Sequence, residues 1–204
     1  MKIDAKNGAA RMRRRLLGAG LALPLVAWRE AHAQSLRATP ACASGASAAG
    51  ATPRQTAGPY YTPDSPRRAS LVEPGDRGPR LLLAGRVLTT ACRPVPGALL
   101  DVWHCDAQGE YDNAGFRHRG HLYADASGDY RLETIVPGLY PGRTRHIHIR
   151  VQAPGGRPLT TQLYFPGDAG NARDGIWQSE LEIALLQGAA GDAKHGRFEF
   201  VLEG

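Results

Sequence analysis

From residue 81 onward, polar and apolar positions alternate in short runs, each closed by glycine or proline. Period two with β-branched and aromatic residues predicts strands that bury one face. The runs cover residues 81–88, 98–104, 129–136, 146–151 and 160–165, and a last run, 196–202, sets Phe198, Phe200 and Leu202 on one parity. Residues 176–187 fit either a short helix or a strand. Between 105 and 128 lies a long, polar, glycine-punctuated excursion; a loop of that length in a compact domain is a place where function concentrates. Short strands joined by Gly/Pro turns, with little helical pattern, predict an all-β fold over residues 56–204. The expected architecture is an antiparallel β-sandwich with long active-site loops.

The start of the chain reads differently. Residues 1–33 hold Lys2, Lys6, Arg11, Arg13, Arg14, Arg15 and Arg29 against Asp4 and Glu30, which accounts for five of the six net positive charges. What remains is nearly neutral, with arginines scattered singly, so no basic stripe for nucleic-acid phosphates is present. A basic segment, an apolar run over 16–28 and the small-x-small site Ala31-His32-Ala33 predict a cleaved export signal. Arg13-Arg14-Arg15-Leu16-Leu17 fits the twin-arginine pattern within it. The apolar run is too short for a membrane anchor. The expected location is periplasmic or extracellular.

Residues 34–55 are rich in Ala, Ser, Gly, Thr and Pro and predict a flexible linker. Three cysteines, Cys42, Cys92 and Cys105, predict one disulfide and one odd thiol in an oxidising compartment. Of three possible pairings, Cys92 with Cys105 is the one expected, because it brackets a single strand-like run.

The candidate chemistry sits in P-G-L-Y-P-G-R-T-R-H-I-H-I-R-V, residues 137–151. Alternation puts His146 and His148 on one face and Ile147, Ile149 and Val151 on the other. The two imidazoles then stand roughly 6.5–7 Å apart along the strand and can converge on one metal ion. A His-x-His is also what the polar face of a strand looks like, so the neighbours decide. Tyr140 precedes His146 across a Pro-Gly turn and can fold back beside it, and Tyr111 lies in the long loop within G-E-Y-D-N. Phenol ionises near pH 10, so a phenolate ligand at neutral pH calls for a strongly Lewis-acidic, hard cation such as Fe(III). Zinc prefers His, Cys or carboxylate.

Four motifs, T-A-G-P-Y-Y, P-V-P-G-A-L-L-D-V-W-H-C-D-A-Q-G-E-Y, P-G-L-Y-P-G-R-T-R-H-I-H-I and T-Q-L-Y-F-P-G-D, occur in this order. Together they resemble the intradiol ring-cleavage dioxygenases, the catechol, hydroxyquinol and protocatechuate enzymes, and are closest to the short secreted members. The resemblance implies a non-haem Fe(III) held by Tyr111, Tyr140, His146 and His148. It implies an aromatic diol and O2 as substrates, with the ring cut between its hydroxylated carbons to a cis,cis-muconate-type product. It gives Tyr140 the part of a departing ligand and base, Arg143 the stabilisation of developing charge, and Gln162 a supporting part. The helical N-terminal segment through which catechol-type members dimerise is absent, so a homo-oligomer is possible but of unstated kind. A carboxylated diol would need a cation, for which Arg117, Arg119 and Arg145 are candidates; His104, His118 and His121 have no assigned role. Two other readings are a zinc enzyme using His146, His148 and a third histidine such as His104 or His121, and a non-catalytic exported β-sandwich binding module.

Overall fold

The computed structural model describes residues 50–186 and 193–203. The expected export signal and most of the expected linker, with Cys42, lie outside them. Nine strands follow in order: β1 (Arg80–Thr89), β2 (Leu99–Trp103), β3 (Arg119–Tyr123), β4 (Asp129–Ile135), β5 (His146–Gln152), β6 (Leu159–Tyr164), β7 (Ala184–Leu186), β8 (Lys194–Arg197) and β9 (Phe200–Leu202). Helix is confined, among the described residues, to two 3-10 turns, Asn171–Arg173 and Ser179–Leu181.

The strands form two sheets packed face to face, as the alternation predicts. One runs β3-β2-β5-β6 and is antiparallel throughout. The other runs β4-β1-β8-β7, with β9 pairing the far end of β1. Here β8 and β9 lie parallel to β1, so this sheet is mixed rather than purely antiparallel. Leu81, Leu83 and Val87 from one sheet meet Leu100, Val102, Ile147, Ile149, Val151 and Leu163 from the other, all essentially inaccessible. Burial of that many aliphatic side chains, each worth about 1.5–3 kcal/mol, is the main drive for sheet-on-sheet packing.

Several expectations are corrected in detail. The 105–128 excursion is not loop throughout: β3 forms inside it and pairs with β2. Residues 176–186 make neither the helix nor the full strand expected, but a 3-10 turn and the three-residue β7. Order begins before Thr56, because Thr52 is buried, with Thr52 N donating to Val201 O at 2.9 Å and Gln55 N to Thr160 O at 2.8 Å. Composition could not show this, since these are backbone bonds that any residue would make. Cys92 is disulfide-bonded but Cys105 is a free, buried thiol, so Cys92 and Cys105 are not partners. Cys105 is packed against Gly138, with Sγ 3.7 Å from its carbonyl.

Candidate metal centre

The end of the polar face of β5 that carries its two histidines does not meet solvent. The arm over residues 52–71 crosses it, so His146 and His148 are both 3% exposed although they point away from the core. Antiparallel register decides what stands beside them. Trp103 of β2 and Gln162 of β6 flank His148, and Tyr164 of β6 is opposite His146. Trp103 stacks flat on His148, centroids 5.0 Å apart and planes 4° from parallel.

Tyr111 and Tyr140 come from the two segments that cap this end of the sheet. They approach because two glycines allow backbone to touch backbone. Gly109 has φ +92°, and a Cβ there would lie 2.3 Å from Leu139 O; a Cβ on Gly138 would lie 2.5 Å from Ala107 O. Gly138 N donates to Asp106 O at 2.8 Å, closing the contact. The result puts the phenol rings 5.7 Å apart, edge to face, and Tyr111 6.3 Å from the His148 ring. The Tyr111 hydroxyl is 3.3 Å from His146 Nε2. All four expected ligand residues therefore lie in one place.

The protonation states suit coordination. His146 Nδ1–H donates to Thr144 O at 2.7 Å, which leaves the Nε2 lone pair facing Tyr111. Burial lowers His146 from 6.5 to about 4 and holds His148 well below its ordinary value, so both imidazoles are neutral. His148 Nδ1 is buried with no hydrogen-bond partner among the described residues. Burial also pushes the Tyr111 phenol above its ordinary value, so without a cation this oxygen stays protonated at neutral pH. Two phenols and two neutral imidazoles, one of them with an unpartnered buried nitrogen, fit a hard, highly charged metal ion.

Arg143 is fixed beside this set. Its Nε donates to Asp174 Oδ2 at 2.8 Å, and one terminal nitrogen donates to Gln162 Oε1 at 2.8 Å and Tyr164 Oη at 3.4 Å. Burial alone would raise the Asp174 carboxyl, but the Thr144 amide and Arg143 outweigh it and hold it low. Tyr164, pushed up to about 12 by burial, donates to Gln55 Oε1 at 2.6 Å. Gln162 in turn donates to Thr56 O at 3.0 Å, tying the arm down. Asp174, Tyr164 and Tyr60, the last with its hydroxyl 2.8 Å from that of Tyr140, have no part assigned by the sequence motifs. The alternation of Gln162 and Tyr164 on one strand was a signal for Tyr164; Asp174 had none.

The remaining candidates lie elsewhere. His104 is fully buried with Nδ1 on Cys105 O at 2.7 Å and Nε2 on Thr134 Oγ1 at 2.6 Å, so neither nitrogen is free for a metal. His121 Nδ1 bonds Ser65 O at 2.7 Å, and His118 Nδ1 lies 3.2 Å from Leu71 O while its ring stacks on His104. No cluster of three or more His, Cys, Asp or Glu suited to a metal occurs among the described residues, which leaves a three-histidine zinc site without its third ligand. Arg119 is buried and Arg145 is bonded to Asp168 and Pro137 O, whereas Arg117 is exposed.

Comparison with known proteins gives a consistent picture. A family model described as Dioxygenase matches residues 56–204. Catechol 1,2-dioxygenase of Acinetobacter guillouiae is 30% identical over an alignment of 206 positions that covers 84% of this chain and 65% of that protein. Among solved structures, the dioxygenase domain of a dioxygenase carbohydrate-binding protein fusion from Streptomyces sp. SirexAA-E is 49% identical. Its TM-score is 0.72, over 76% of this chain and 99% of that one. The 3-chlorocatechol 1,2-dioxygenase of Rhodococcus opacus 1CP is 27% identical with a TM-score of 0.70, over 75% of this chain and 73% of that one. The chain spans roughly half to two thirds of the length of the first curated relatives it matches, from 53% to 65%.

Proposed function

This chain belongs to the intradiol ring-cleavage dioxygenase family, and on that premise we propose that it cleaves the ring of an aromatic 1,2-diol with O2. Cleavage falls between the hydroxylated carbons and yields a cis,cis-muconate-type diacid. The observation that carries the reading is the convergence of Tyr111, Tyr140, His146 and His148, with Tyr111 Oη 3.3 Å from the free Nε2 of His146. Iron(III) held by these four residues would supply the Lewis acidity that binds both diol oxygens and opens the ring carbon to O2.

The protein's own groups have distinct parts. Tyr140 is half-buried, and as an ionised ligand its phenolate oxygen would take one of the diol's protons. His146 and His148 are buried and, with Tyr111, would keep the geometry fixed. Trp103 fixes the plane of His148 and Thr144 O fixes the tautomer of His146. Arg143 carries a positive charge that stabilises the negative charge developing on the ring, and Asp174 and Gln162 aim it before the diol arrives. The basic, apolar and small-x-small pattern of residues 1–33 supports an export signal, which would carry this chemistry outside the cytoplasm.

The test is spectroscopic and chemical. Full-length protein loaded with iron should show a visible tyrosinate charge-transfer band. Catechol, hydroxyquinol, protocatechuate and chlorocatechols should be added in turn without oxygen. At least one is expected to shift the band and to be consumed with O2 once air is admitted. An iron-loaded protein without colour would end the proposal.

A further inference from the structure

A third tyrosine stands at this centre. The ring of Tyr60 stacks on Tyr111 with centroids 4.5 Å apart and planes at 19°, and it meets Tyr140 edge-on at 5.6 Å. Its hydroxyl is 2.8 Å from that of Tyr140. Tyr60 thus touches both candidate phenol ligands, one through its ring and the other through its oxygen.

Its position is built in from several sides. Arg119, 1% exposed, donates from one terminal nitrogen to Tyr60 O and from Nε to Asp112 O at 3.0 Å. Asp112 follows Tyr111, so one buried guanidinium locks the arm carrying Tyr60 to the loop carrying Tyr111. The same guanidinium lies 6.0 Å from the Tyr111 ring centroid. Next along the arm, Tyr61 packs against Trp103 at 4.8 Å and donates to Asp101 at 3.1 Å. Gly58, at φ +64°, lets the arm pass within contact distance of His148, where a Cβ would sit 3.4 Å from Cε1. An arm serving only as a wall would need the Tyr60 ring and not its hydroxyl; a phenylalanine would fill the space equally well.

Resting on the function proposed above, we infer that Tyr60 is a positioning residue for Tyr140. Once Tyr140 is an anionic ligand, its oxygen only accepts, so the shared hydrogen bond must be donated by Tyr60. A phenolate oxygen that accepts such a bond is fixed in direction and is a weaker donor to a metal than one that does not. Tyr60 therefore sets both the aim and the donor strength of the ligand that must move when the diol binds.

The experiment compares iron-loaded wild type, Tyr60→Phe, Tyr140→Phe and the double variant, by visible spectrum and by kcat and KM. Tyr60→Phe keeps the ring and its stacking and removes only the hydroxyl. Loss of one hydrogen bond to a charged oxygen should move the band to longer wavelength and lower kcat about tenfold, with KM within about twofold. Adding Tyr60→Phe to Tyr140→Phe should change neither quantity. Weaker iron binding in Tyr60→Phe counts for the inference only if it too vanishes in the Tyr140→Phe background. A band and a kcat left in place by Tyr60→Phe would overturn it. So would an equal loss in both backgrounds, which would mean that Tyr60 acts on the substrate directly. A colourless iron-bound wild type would instead sink the functional reading, whatever Tyr60 does.

Discussion

The hydroxyl of Tyr111 lies 3.3 Å from Nε2 of His146, across a sequence separation of 35 residues. The partner nitrogen is free because His146 Nδ1 is committed to Thr144 O. Burial raises the phenol and lowers the imidazole, so each waits in its neutral form. A cation between them would reverse the first preference and use the second. Tyr111→Phe should therefore weaken and shift the visible band, to which both tyrosinates contribute, and lower kcat/KM by at least about a hundredfold, since losing even a group that supports a metal ligand costs 10–100-fold. Absorbance per bound iron, measured beside steady-state rates, checks this.

Gly109 is the hinge on which the Tyr111 loop meets the Tyr140 turn. Its backbone is left-handed and its missing Cβ would sit 2.3 Å from Leu139 O, a backbone atom that cannot step aside. Gly109→Ala should cost about 2–4 kcal/mol, the sum of backbone strain and overpacking. Urea unfolding should show a lower midpoint with an unchanged slope. Iron stoichiometry should fall in the same variant, because the loop that must give way carries Tyr111.

Asp174 anchors Arg143 and the start of β5 at once, through Arg143 Nε at 2.8 Å and Thr144 N at 2.9 Å. Asp174→Asn keeps the shape and removes the charge. The expected outcome is a visible band unchanged in position and a kcat/KM reduced about tenfold to a hundredfold, the worth of one charge-assisted bond. A shifted band would mean that Asp174 acts on the ligands rather than on Arg143.

Acid should loosen the iron-free fold through its buried histidines. Burial, with a smaller push from His118, lowers His104 from 6.5 to about 3. Between those values the unfolded chain binds a proton that the folded chain refuses. Stability is therefore full above pH 6.5 and drains away as pH falls toward 3. His146, lowered to about 4, and His148, lowered further by burial, act in the same direction. Urea midpoints of iron-free protein should fall steadily from pH 7 to pH 4, and His104→Gln should make that slope shallower without abolishing it.

Much of this was legible in the sequence because local chemistry dictated it. A strand buries alternate residues, so H-I-H-I-R-V placed Ile147, Ile149 and Val151 in the core and both histidines on the far face. Tyr111, Tyr140, Arg143 and Gln162 were legible through motifs whose order resembles one family. The mixed sheet was not, because β8 and β9 pair with β1 across most of the chain, and no local pattern encodes which neighbour a strand chooses. Nor was the partner of Cys92 or the occupation of both His104 nitrogens, since those depend on what packs nearby.

Sequence alone, then, settled the strand faces and the kinds of side chain on offer, because period-two burial and phenol or imidazole chemistry are properties of the residues themselves. Tertiary structure alone decided that two phenols and two imidazoles stand side by side, that Asp174 and Gln162 hold Arg143, and that Tyr60 reaches Tyr140. Those relations come from strand register and from backbone contacts permitted at Gly109 and Gly138, which bring together residues that the chain keeps far apart.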